Sequence, residues 1–146
     1  MNEPNNRSAI DPFHLAVPVT NLDNARQFYG TLLGCAQGRS SEEWIDWDFF
    51  GHQLVTHLVA KMPDQPAPNQ VDNKAVPVPH FGVVLKMSTW QALAEKLEQH
   101  AVDFVIKPYV RFKGQVGEQA TMFLLDPCGN ALEFKAFADP SQLFAH

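Results

Sequence analysis

Cysteine is nearly absent from this chain: Cys35 and Cys128 are the only two in 146 residues, far apart and in no C-x-x-C arrangement. That excludes a disulfide framework and a thiolate-bound structural zinc, and a reducing, cytoplasmic setting is the expectation. Long hydrophobic runs are missing as well. No stretch approaches the roughly 20 apolar residues that a membrane helix requires, and the polar start Met1–Arg7 does not read as a signal peptide. Basic clusters are equally scarce. The net charge is −5 and the densest cationic stretch is Arg111-Phe112-Lys113, so neither a membrane surface nor a nucleic acid is an expected partner. What is there is enough chain for one domain over 1–146, able to bury roughly 68–70% of its unfolded surface.

The chain repeats itself. Phe13-His14-Leu-Ala-Val-Pro-Val19 alternates, with positions 15, 17 and 19 on one face and His14 and Ala16 on the other. Pro79-His80-Phe-Gly-Val-Val-Leu85 opens the same way 66 positions later. A helical pattern follows each strand. In the first, Thr20 or Asn21 caps, apolar residues stand at 25, 28, 29 and 32, and Gly34 ends the run. In the second, Ser88 and Gln91 form a capping-box pattern ahead of the stripe Trp90, Leu93, Ala94 and Leu97. Strand patterns come next, at 44–50 and 53–60 in the first half and at 104–106, 121–125 and 131–137 in the second, with final turns at Gly51 and Gly129. The stretch 62–79 holds five prolines without periodicity and reads as a linker. The expected fold is therefore α+β: two βαβββ modules, about 12–61 and 80–138, pairing into an open, cavity-forming mixed sheet with the helices outside.

His100 ends a helix and His146 ends the chain, so both are set aside as solvated. His14 and His80 open equivalent strands of the repeat and would face the concave side. Glu133, between Leu132 and Phe134, would face it too. A carboxylate there must be paired, hydrogen-bonded or metal-bound, because a stranded charge costs several kcal/mol. Two imidazoles and one carboxylate make a 2-His-1-carboxylate set with open positions for substrate.

These residues, with the segment Asp126-Pro-Cys-Gly-Asn-Ala-Leu-Glu133, resemble the vicinal oxygen chelate superfamily of glyoxalases, ring-cleaving dioxygenases, epimerases and antibiotic-resistance proteins. The resemblance runs over about residues 12–138 and is strongest to small extradiol-dioxygenase-like proteins. It implies that His14, His80 and Glu133 hold one divalent metal, and that a further site residue stands on the fourth strand, where His57 and Gln53 share a face. It implies Fe(II)-dependent ring cleavage of a catechol-like substrate by dioxygen. The alternatives are a redox-neutral lyase or isomerase with Mn(II), Ni(II), Co(II) or Zn(II), and a non-enzymatic binder of flat aromatic ligands using Trp44, Trp47, Phe49 and Phe112. A homodimer through sheet contacts is compatible with all three.

Two departures from the family pattern stand out. Phe123 occupies the place of a tyrosine ten residues before the metal glutamate, and 58–79 contains no histidine. His57 or Tyr109 is then the expected acid/base group. The segment 107–119 is expected to be a rim or lid whose Arg111 and Lys113 attract a carboxylate-bearing substrate, with Gly114 and Gly117 permitting movement.

Overall fold

The structure is a computed structural model and describes residues 10–146; the polar start discussed above lies outside the described residues. Module 1 consists of β1 (His14–Val19), a helix α1 (Leu22–Ala25) that continues with π-helical winding over Arg26–Leu32, β2 (Ala36–Ser40), β3 (Trp44–Phe49) and β4 (His52–Leu58). Between the modules lie two short strands, β5 (Asn69–Val71) and β6 (Lys74–Val76). Module 2 repeats the plan as β7 (Phe81–Val84), α2 (Met87–Gln99), β8 (Phe104–Arg111), β9 (Gln119–Leu125) and β10 (Ala131–Phe137). The sheet orders match strand for strand: β1-β4-β3-β2 and β7-β10-β9-β8, the first pair of each being parallel. The fold is the α+β arrangement of two βαβββ units that the sequence pattern called for.

Local chemistry explains most of the elements and some departures. Asn21 caps α1 by accepting from the Asn24 amide, as expected. The wider π winding shifts the buried stripe from Leu32 to Leu33. In α2 the expected capping box does not form. The helix starts at Met87, putting Ser88 inside it, and its register is set by Trp90, whose indole donates to the Phe134 carbonyl at 2.8 Å. The stripe Trp90, Leu93, Ala94 and Leu97 is buried as read. Strand β2 has no apolar alternation and every residue in it is exposed, so its sequence carries no signal.

The segment read as a plain linker contains a hairpin. Asp72 and Asn73 sit at φ of 51° and 60°, the paired left-handed residues of a type I′ turn. Its foot is Val76, which is buried with Ile106 and Phe123 on the open face of the second sheet. Likewise 107–111 is not loop but strand, since β8 extends to Arg111 and only Phe112–Glu118 bridges to β9.

Both helices pack on one side of the sheets over a shared core, in which Phe134, Leu132, Tyr29 and Leu97 are fully buried, each such apolar side chain contributing about 1.5–3 kcal/mol. The last turn of each module docks on the other module. Phe50 meets Phe134 edge-on. In return Asp126, only 4% exposed, accepts from the Tyr29 hydroxyl at 2.7 Å, from the Cys128 and Asn130 amides, and from the Asn130 side chain, which also donates to the Pro18 carbonyl. The D-P-x-G-N segment thus owes its residue types to a joint between modules. Burial and the Asp126 charge push the Tyr29 phenol well above its ordinary pKa, so it remains a donor.

Candidate metal site

The module edges meet in opposite directions. Ala16, Val17 and Pro18 line one cavity with Pro79, His80 and Phe81, whereas Phe13 and Gln53 line another with Gly82 and Val83. His14, which opens β1, and His80, which immediately precedes β7, therefore lie at opposite ends of this edge. Among the described residues no three His, Cys, Asp or Glu side chains converge as one ion would need. The three candidate ligands thus fall into two separate groups, each at most half of a site: His14 on the open face of the first sheet, and His80 with Glu133 on that of the second.

The module 2 half-site is the more sheltered of the two, with the His80 and Glu133 side chains 28% and 11% exposed. His80 Nδ1 lies 2.6 Å from the Pro77 carbonyl, which can only accept, so Nδ1 carries a proton and the other ring nitrogen, Nε2, is turned toward Glu133. Nε2 is 3.3 Å from Glu133 Oε1, and the other carboxylate oxygen accepts from the Thr121 hydroxyl at 2.5 Å. Lys135 Nζ stands 3.9 Å from Oε1. The hydrogen bond to Glu133 raises the His80 pKa, partial burial opposing it. For Glu133, burial pushes upward, but hydrogen bonds from His80 and Thr121 and the Lys135 charge outweigh it and hold the carboxyl below its ordinary range. Gly82 pairs with Glu133 so closely that a Cβ would strike the Glu133 carbonyl oxygen, which restricts this position to glycine.

The walls of this half-site come from β8, β9 and the hairpin. A cavity of about 130 Å³ is lined by His80, Glu133, Phe123, Tyr109, Arg111 and Val76, among others. It is close to the ~150 Å³ of an apolar cavity that holds one benzene ring. Phe123 meets the His80 ring edge-on with centroids 4.9 Å apart. Burial raises the Tyr109 pKa, Arg111 opposing and Asp72 adding to the shift, so its hydroxyl is kept as a donor. Lys113 is exposed in the loop after β8 and does not line this cavity.

The module 1 half-site is open. His14 pairs with Gln53 across β1 and β4, and its Nδ1 is 2.8 Å from Gln53 Oε1, so the amide oxygen holds the proton side of the ring and frees Nε2. Gln53 therefore positions the imidazole. The same register sets His57 beside Pro18, four residues along β4, or about 13 Å from Gln53. His57, expected as an acid/base group, thus shares the face of Gln53 as read but stands well along the strand from His14. Of the aromatics considered for ligand binding, Trp47 and Phe49 belong to the core, Trp44 is half-buried and Phe112 is exposed.

Thr121, Pro77, Lys135 and the hairpin were not singled out in the sequence. Thr121 could have been, since it lies two residues from Phe123 and so on the face of Glu133. The turn residues Asp72-Asn73 between Val71 and Val76 carried the hairpin signal.

A family model described as the Glyoxalase/Bleomycin resistance protein/Dioxygenase superfamily matches residues 12–134. A solved glyoxalase/bleomycin resistance protein/dioxygenase from Alicyclobacillus acidocaldarius is 34% identical, with a TM-score of 0.76 over 99% of this chain and 100% of that one. A genomically encoded fosfomycin resistance protein from Listeria monocytogenes, at 12% identity, TM-score 0.68 and coverage of 92% and 99%, shares the fold. So does a glyoxalase/dioxygenase from Nostoc punctiforme, at 15% identity, TM-score 0.62 and coverage of 95% and 97%. No curated protein matches the chain.

Proposed function

The chain belongs to the glyoxalase/bleomycin resistance protein/dioxygenase superfamily, and from that premise we propose that it is a divalent-metal enzyme whose site is split between two copies, His14 of one and His80 with Glu133 of the other. The observation that carries this reading is the shared device at both histidines. Each Nδ1 is tied to an oxygen acceptor, Gln53 on one face and Pro77 on the other, which leaves Nε2 as the ligating nitrogen of each ring, that of His80 already turned toward the Glu133 carboxylate. Two imidazole nitrogens and a carboxylate fit a divalent ion and leave positions open. Superfamily members typically bind such an ion and often form dimers. Facing the open sheet of one copy with that of another would bring the halves together.

When bound, the metal supplies Lewis acidity and, if it is iron, a path for electrons to dioxygen. The chain's own residues do the rest. Phe123, Val76 and Val71 offer an apolar wall to hold a planar ring and exclude water. Tyr109 keeps its proton and donates a hydrogen bond to a substrate oxygen. Thr121 fixes the rotamer of Glu133. A wall of this kind beside a site that accepts two neighbouring oxygens favours Fe(II)-dependent ring cleavage of a catechol-like substrate. One observation favours a redox-neutral lyase or isomerase instead: Phe123, packed on His80, offers no proton where a phenol would serve ring opening.

Loading the metal-free protein anaerobically with Fe(II), Mn(II), Ni(II), Co(II) or Zn(II), then following oxygen uptake with a panel of catechols, separates the two. Uptake with Fe(II) supports ring cleavage, and Phe123→Tyr should then raise turnover about tenfold, or 1.4 kcal/mol. No uptake with any catechol rejects ring cleavage.

A further inference from the structure

Asp72, at the tip of the hairpin between the modules, places its Oδ2 2.6 Å from Arg111 Nε and 3.4 Å from the Tyr109 hydroxyl. Arg111 and Tyr109 line the cavity that also holds His80 and Glu133. A carboxylate of the chain itself thus occupies the cationic end of the candidate site. We propose that Asp72 stands in for an anionic group of the substrate, so that the protein takes a small aromatic ligand bearing a carboxylate, which displaces Asp72 from Arg111 and Tyr109. This rests on the proposed function only for the identity of the other end of the ligand.

Three features make the stand-in displaceable. Strands β5 and β6 are three residues each, and a two-stranded hairpin of that size is marginal by itself. The Asp72 carboxylate itself is held by an ion pair whose partners are 21% and 43% exposed, a pair worth at most about 1 kcal/mol, and by a long hydrogen bond from Tyr109, while Val71 beside it packs with the foot of the hairpin. Its foot, Val76 against Ile106 and Phe123, lies away from the tip and can hold the hairpin in place while Asp72 swings out. The charges also favour an incoming anion. Arg111 and Lys135 line the cavity, and Lys74 Nζ lies 4.8 Å from the Tyr109 ring centroid, against Glu133 and Asp72. Moving Asp72 away leaves a net positive end, and an arginine beside a phenol donor suits a carboxylate. The ring of the ligand would lie on Phe123 and Val76, with its far side toward His80 and Glu133.

The test uses the full-length, metal-free protein with benzoate and its neutral isostere benzamide as probes, titrated by calorimetry. Benzoate should bind about tenfold more tightly than benzamide, the margin of a charge-assisted hydrogen bond over a neutral one. Arg111→Gln should abolish that preference. Asp72→Asn, at an exposed position, should strengthen benzoate several-fold and leave benzamide unchanged, and benzoate should speed amide exchange over residues 70–74. Equal affinity of the two probes for the wild type, or an Asp72→Asn variant that binds benzoate no better, overturns the proposal. Zn(II)-loaded protein with 3,4-dihydroxybenzoate and catechol then tests the other end. If the dihydroxy ring gains nothing from the metal while benzoate behaves as stated, the metal reading falls and the anion subsite stands. If the dihydroxy ring gains but benzoate and benzamide bind alike, the reverse holds.

Discussion

The open face of the first sheet and that of the second share topology, register logic and a histidine at the opening of the first strand, yet they are finished differently. On the first, His14 and Gln53 are exposed. On the second, the His80 side chain is 28% and Glu133 11% exposed, Thr121 and Pro77 orient both, and the hairpin covers the cavity. A duplicated module thus fixes where a side chain can stand, and the neighbours on the same face decide whether it forms an enclosed pocket or a single presented ligand. In the proposed reading module 2 would bind and shape the ligand, and module 1 would contribute one imidazole to a partner copy.

The sharpest way to break the comparison is to remove a ligand from the enclosed side. His80→Ala should lower metal affinity by about a thousandfold or more, about 4 kcal/mol against the ~10–16 kcal/mol that well-ligated sites can reach, while the fold is retained. His100→Ala, a solvated histidine hydrogen-bonded only to the Lys96 carbonyl of its own helix, should leave affinity unchanged by the same isothermal titration. Next in size is the joint that holds the two faces at their angle. Asp126→Ala strands the Tyr29 hydroxyl and two amides in a buried place, and should cost about 3 kcal/mol in urea unfolding. Smaller, and expected to be alike on both faces, are the orienting contacts. Thr121→Val and Gln53→Ala should each reduce metal affinity by about 10–100-fold without changing stoichiometry. A large loss for one and none for the other would show that the two histidines are not positioned by equivalent means.

The smallest effect is on pH. In metal-free protein the raised His80 pKa contributes stability that is complete below its ordinary value of 6.5 and is lost as pH rises through the folded value. The lowered Glu133 pKa contributes above its ordinary 4.5 and is lost as pH falls through the folded value. The pair therefore stabilises most between those two ordinary values. Melting temperatures taken with chelator present should show wild type exceeding Glu133→Gln there, with the gap closing above neutrality.

The same contrast explains what the sequence could disclose. The positions of His14, His80 and Glu133 along their strands were legible because strand alternation and the internal repeat place them without any knowledge of packing. The stripe on α2 was legible for the same reason, and the D-P-x-G-N turn was legible as a turn. Strand β2 was not, since an exposed edge strand needs no apolar pattern. The hairpin was hidden by the prolines around it, and the pairing of Gln53 rather than His57 with His14 depends on parallel register, which no periodicity reports. Nor could the sequence tell whether the modules meet face to face or edge to edge. That depended on the Asp126 joint and on Phe50 crossing to Phe134.

The most direct test of the split site is complementation between two inactive chains. His14→Ala and His80→Ala protomers, co-refolded in equal amounts, form mixed dimers in which one site has lost both histidines and the other keeps both. With random pairing, half the dimers are mixed and carry one intact site of two, so metal content should recover to about a quarter of wild type. The account predicts that recovery in the mixture and none in either variant alone; a mixture that binds no more metal than its separate components would contradict it.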